Sequence, residues 1–107
     1  MNEKLLHLLG IARKAGRLTL GTDAAKESLQ KRKTVLVLLA SDLSKRTVAD
    51  VTEAALQAGV TARSIQPDLD EVGVALGKRA GVVAVNDTGF AKKLLALIAE
   101  IEEESEQ

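Results

Sequence analysis

The chain has 107 residues, no cysteine, a single aromatic residue (Phe90), 46% apolar residues and a formal net charge of zero. That length is one domain with an aliphatic core, and the composition excludes disulfides, thiolate metal sites, thiol catalysis and base stacking on exposed rings. The charge is uneven: residues 1–46 hold ten Lys/Arg against four Asp/Glu, and residues 47–107 hold five against eleven.

A basic half and an acidic end suggest that one face meets an anion while the other stays solvated. A pI near 6.6 does not suit a nonspecific nucleic-acid binder, so any RNA contact should be small and shape-directed. The apolar run Val35 to Ala40, which no other run exceeds, is far short of a membrane span. The start Met1-Asn2-Glu3-Lys4 lacks a signal-peptide design. A cytoplasmic protein without membrane contact is expected.

The first helix is predicted from about Asn2 to Ala15, with Leu5, Leu6, Leu9 and Ala12 on one stripe and Gly16 as its stop. Leu18-Thr19-Leu20 reads as a short strand. A second helix covers roughly Thr22 to Lys31, with Thr22 as its N-cap. Val35 to Ala40 reads as a central strand covered on both faces. A third helix runs from about Ser44 to Ala58, with Val48, Val51, Thr52, Ala55 and Leu56 on its stripe and Gly59 as its stop.

Thr61 to Gln66 is a strand that Pro67 ends. Asp68 and Glu71 open a short helix that reaches Leu76, with Gly77 after it. Val82 to Val85 is a buried strand, and a last helix runs from Thr88 or Gly89 to Glu102. This alternation predicts an α/β fold, a three-layer α/β/α sandwich with a mixed, about four-stranded sheet. Residues 1–102 form the single domain, and residues 103–107 are expected to be an acidic disordered tail.

Gly21 opens a helix just after a strand, which leaves backbone N–H groups free to receive a phosphate or the polar edge of a base. Lys26, Lys31, Arg32 and Lys33 lie within twelve residues of it in sequence and favour an anionic partner. The alternative is a solvated charged face. His7, the single histidine, supports no nucleophile–base–acid set and no transition-metal site. Leu76-Gly-Lys-Arg-Ala-Gly81 lacks the order of a phosphate-binding loop and reads as a basic turn. Asp42, ending the central strand, is placed like a phospho-acceptor, although it or Ser44 also suits the cap of the third helix. No cofactor is expected.

The pattern LLGIARKAGRLTLG, then VLVLLASDLS, DEVGVALGKR and VVAVNDTGFAKKL resembles the ribosomal protein L-seven-Ae/L-thirty-e superfamily and, within it, the small bacterial YlxQ-like branch. The resemblance runs from Leu5 to Leu97. It implies an α/β/α sandwich that recognises kink-turn or similarly bent RNA, rRNA included, as a non-enzymatic monomer. The family pattern Gly-x-Asn-Glu-x-x-Lys falls on Gly21, Asp23, Ala24 and Glu27, so Ala24 and Glu27 depart from it.

The contacts implied by the resemblance come from Gly21, Thr22 and Asp23, with Lys26, Arg32 and Lys33 supplying field. A second loop, Ile65, Gln66, Pro67 and Asp68, is implied to close the far side, with Ile65 or Pro67 packing on an extruded nucleotide. The alternative is a protein-interaction module on the same fold that has lost the RNA site.

Overall fold

The computed structural model describes residues 2–106, and the side chains of residues 2–104. Its elements are α1 (Glu3–Lys14), β1 (Leu18–Leu20), α2 (Thr22–Gln30), β2 (Leu36–Leu39), α3 (Lys45–Gln57), β3 (Thr61–Ser64), α4 (Leu69–Leu76), β4 (Val82–Val85) and α5 (Thr88–Glu106). The sheet order is β1-β4-β2-β3. β4 runs antiparallel to both its neighbours, and β2 is parallel to β3. The sheet is therefore mixed, and β2 is interior, as its apolar run predicts, except that Val35 precedes the strand and is 43% exposed. β4 shares that interior place. Both strands are buried at every residue, whereas the edge strands β1 and β3 are only partly covered.

Two apolar layers follow from the period-two alternation of the central strands. Leu36, Leu38, Val83 and Val85 point to one face, where they meet Leu5 and Leu9 of α1, Val72 and Leu76 of α4, and Leu94 and Ile98 of α5. Val37, Leu39, Val82 and Ala84 point to the other, against Ala25 and Leu29 of α2 and Val51 and Ala55 of α3. The core is aliphatic throughout, and each Leu or Val side chain buried there contributes roughly 1.5–3 kcal/mol.

Several element ends differ from those predicted. Gly21, not Thr22, is the N-cap of α2, with φ +102°, a conformation in which a β-carbon would be strained. On α3 only Val51 and Ala55 are buried. Thr52 is exposed, and Leu56 is 72% exposed, because the stripe facing the sheet is narrower than five residues. α5 continues to Glu106, past the expected end at Glu102 and through most of the expected disordered tail. Gln107, and the side chains of residues 105 and 106, lie outside the described residues.

Candidate functional site

The strand order brings four loops to one end of the sheet. The Gly21 amide donates to the Val82 carbonyl at 2.9 Å, the Ala40 amide to Gly81 at 2.8 Å, and the Ile65 amide to Leu39 at 2.8 Å. The Ser41 amide donates to the Pro67 carbonyl at 3.0 Å. The end of β1, the start of β4 and the ends of β2 and β3 therefore stand side by side. At ~4.8 Å between neighbouring strands, this row spans about 14 Å from Gly21 to Ile65.

The row is locked by side chains from distant parts of the chain. Asp42 Oδ1 accepts from the Leu69 amide at 2.8 Å. Gly81 lies beneath Leu43 and Leu69, so close that an added Cβ would stand 2.5 Å from Leu43 Cδ2 and 2.9 Å from Leu69 Cδ1. Asp68 and Glu71 form the expected capping box at the start of α4. Ser44 caps α3 by accepting from the Thr47 amide at 3.1 Å. Asp42 thus serves the first turn of α4 rather than the N-cap of α3, and that hydrogen bond accounts for its position without phosphotransfer chemistry.

No side chain caps the first turn of α2. The N–H groups at that end have no intrahelical acceptor, and the helix dipole adds partial positive charge there. Asp23 is exposed beside them and Thr22 is half-buried. Ala24, Glu27 and Lys31 follow on one face of α2 at i, i+3 and i+7. A shallow groove of about 220 Å³ lies between this face and Thr19 of β1, with Lys33 also on its wall. The Lys31 ammonium meets the Glu27 carboxylate at 2.7 Å. Its hydrogen bond and charge, with a smaller contribution from Lys33, hold Glu27 below the ordinary carboxylate range.

The expected site residues divide into those gathered at this end and those kept from it. Gly21, Thr22, Asp23, Gln66 and Asp68 share the sheet end. Lys26 faces α3, its ammonium held by both carboxylate oxygens of Asp50 at 2.9 and 3.0 Å. Arg32 and Lys33 lie at the opposite end of the sheet. They lead into the start of β2, where Leu36 pairs with Val85 at the far end of β4, and the nine residues of α2 put about 13 Å between the two ends of that helix.

Ile65 belongs to the core, with 5% of its surface exposed, and Pro67 is buried as well. Neither presents an apolar side chain for a nucleotide to pack on. The exposed side chain of that loop is Gln66, whose Oε1 accepts from Asn2 Nδ2 at 3.3 Å.

Sequence reasoning left out one basic pair. Lys78 and Arg79 lie within three residues of Gly81 in the turn that leads from α4 back to the sheet end. Arg79 is paired with Asp70, whereas Lys78 is exposed. The basic turn is plain in the sequence, but that it leads into the strand beside Gly21 depends on β4 inserting between β1 and β2. Among the described residues no His, Asp or Glu group could hold a metal ion, and no helix is long and apolar enough to cross a membrane.

A sequence model described as the ribosomal protein L7Ae/L30e/S12e/Gadd45 family matches residues 3–95. The chain is 35% identical over 92 residues to the RNA-binding protein YlxQ of Bacillus subtilis (strain 168), covering 85% of this chain and 91% of that one. It is 29% identical over 96 residues to the RNA-binding protein YlxQ of Enterococcus faecium, covering 90% and 92%. Among solved structures, a protein of unknown function from Bacillus halodurans superposes with a TM-score of 0.84 at 31% identity, covering 90% of this chain and 97% of that one. The Giardia lamblia 15.5kD RNA binding protein superposes with a TM-score of 0.71 at 18% identity, covering 96% and 92%, a likeness of fold.

Proposed function

From the premise that this chain belongs to the ribosomal protein L7Ae/L30e/S12e/Gadd45 family, we propose that it is a non-enzymatic, monomeric binder of bent RNA, of the kink-turn kind, in the cytoplasm. The observation that carries the reading is the uncapped first turn of α2, standing in one row with the loops around Ser41, Gln66 and Gly81. Two relatives that bear the name RNA-binding protein support it.

In this reading the backbone at Gly21 approaches the RNA closely, and the free N–H groups of α2 receive a phosphate or a base edge. Asp23 accepts from a guanine edge, and its own charge repels nearby phosphates, so it adds selectivity more than affinity. Lys78 supplies the positive charge that Lys26, Arg32 and Lys33 are too occupied or too distant to give. Gln66 and Asp68 close the far side with polar groups. Ala24 and Glu27 remove two side-chain contacts expected of the family, so affinity should be lower by at least one contact of about 1–3 kcal/mol.

The test is a low-salt titration of a kink-turn RNA against a straight duplex of the same length. Preference for the kinked RNA is expected. Equal binding to both, or none to either, overturns the proposal and leaves a protein-interaction module on the same fold.

A further inference from the structure

α1 and α4 approach each other closely at Gly10, where an added Cβ would stand 3.2 Å from the Ala75 carbonyl oxygen. Beside this approach a surface groove of about 590 Å³ opens between the two helices. Ile11 on the α1 side is 43% exposed and Val74 on the α4 side is 86% exposed. Val74 contributes nothing to the core, because Val72 and Leu76 are the buried residues of α4. Single exposed aliphatic residues are ordinary on a protein surface. Two that line one groove, with Leu6 and Ala75 also on its lining, form a continuous apolar patch.

The charge around this patch is asymmetric. Arg13 and Lys14 stand at the end where α4 stops at Gly77. The Arg13 guanidinium donates to the Leu76 carbonyl, which ties one of its N–H groups and leaves its positive charge in place. Lys14 is exposed. At the other end His7 stands near Glu71, whose Oε1 accepts from the Asp68 amide in the capping box and so faces the start of α4. The groove is therefore aliphatic in its middle and cationic at one end.

We propose that this groove seats a short acidic amphipathic helix of a partner protein, with aliphatic side chains between Ile11 and Val74 and carboxylates toward Arg13 and Lys14. The eight residues of α4 set a seat about 12 Å long, which suits two or so turns of helix. The lining of the groove is mostly aliphatic, and its one ring, His7, stands at the end away from Arg13 and Lys14, so a stacked base and its phosphate do not match the arrangement as well as an apolar stripe with carboxylates does. None of Gly21, Thr22, Asp23, Gln66 and Asp68 lines the groove, and Lys78 only borders it after Gly77, so this inference stands apart from the RNA reading.

The experiment titrates the full chain with a fluorescent helical peptide of about four turns, carrying leucines on one stripe and glutamates beside it. A second peptide has lysine at every glutamate position. Saturable binding of the acidic peptide is expected, with backbone amide shifts confined to residues 6–14 and 70–78. Val74→Glu should weaken it at least about tenfold, Lys14→Glu several-fold, and the lysine peptide should bind at least about tenfold more weakly. Because Val74 is so exposed, Val74→Glu should leave the melting temperature nearly unchanged. Equal binding of the two peptides, shifts outside the groove, no saturable binding, or displacement of the peptide by kink-turn RNA would each overturn the proposal. Since RNA binding is scored in a separate titration, its failure would leave this result readable.

Discussion

The carboxylate of Asp42 accepts a 2.8 Å hydrogen bond from the backbone amide of Leu69, 27 residues further along the chain. The Leu69 amide is the first of α4 and has no acceptor within its own helix. Asp42 therefore ties the end of β2 to the start of α4 and holds two of the four loops in the row as one body. Asp42→Ala should cost about 1 kcal/mol, the usual loss of a helix cap. Asp42→Asn, which keeps an acceptor oxygen, should cost only a few tenths. Urea unfolding of the two variants checks the difference, and equal losses would mean that the carboxylate charge, not the hydrogen bond, matters.

A second polar cluster lies at the opposite end of the sheet. The buried Thr34 hydroxyl lies 2.7 Å from Ser28 Oγ and 3.0 Å from Asn86 Oδ1, and Asn86 Nδ2 donates to Thr19 Oγ1 at 2.8 Å. Thr34→Val removes the central hydroxyl and leaves the buried Ser28 and the half-buried Asn86 each one hydrogen bond short, at a cost of about 1–3 kcal/mol. Thr34→Ser should recover most of it. Unfolding midpoints measure both.

On the exposed face of α2, the double change Ala24→Glu with Glu27→Lys should raise kink-turn affinity by roughly tenfold or more, the equivalent of one restored contact. Stability should move the other way. Glu27→Lys breaks the ion pair with Lys31 and sets two like charges at i and i+4, which costs a few tenths of a kcal/mol. RNA titration and thermal melting of the same variant separate the two effects. An unchanged affinity would argue against RNA contact on this face.

Lys78→Ala should weaken RNA binding for most sequences alike and lower the salt slope by about one. Arg32→Ala and Lys33→Ala should change neither, since both stand at the far end of the sheet. Lys26→Ala should matter little for a different reason, its charge being matched by Asp50. Titrations at several salt concentrations order these variants, and a dominant Lys33 would place the RNA along the groove beside α2 instead.

Removing residues 103–107 should leave the melting temperature within about two degrees. The truncated chain keeps the buried Ile101 and the Arg63–Glu102 ion pair, while Glu103 and Glu104 are exposed. A fall of about ten degrees in a thermal melt would mean that the last turn packs on the domain.

By itself the sequence determined the element order, the aliphatic core and the layered class, because periodicity and glycine stops are local signals that report which face of each element is apolar. The strand Val82–Val85, the Asp68–Glu71 capping box and the interior place of Leu36 to Ala40 were all legible in this way, whereas Val35, at the head of that run, is exposed. Pairing between strands is not local, and only the tertiary structure decided it. Placing β4 between β1 and β2 put Gly81 and Val82 beside Gly21 and left Arg32 and Lys33 at the other end, although the latter pair is closer to Gly21 in sequence. Tertiary packing also took Ile65 and Pro67 into the interior and turned Lys26 toward Asp50. A loop's apolar residue reads the same whether it faces solvent or core, and a helix lysine reads the same whether or not a neighbouring helix brings it a carboxylate. Position in sequence constrains reach along the chain, whereas a site is made by what the register of the sheet sets side by side.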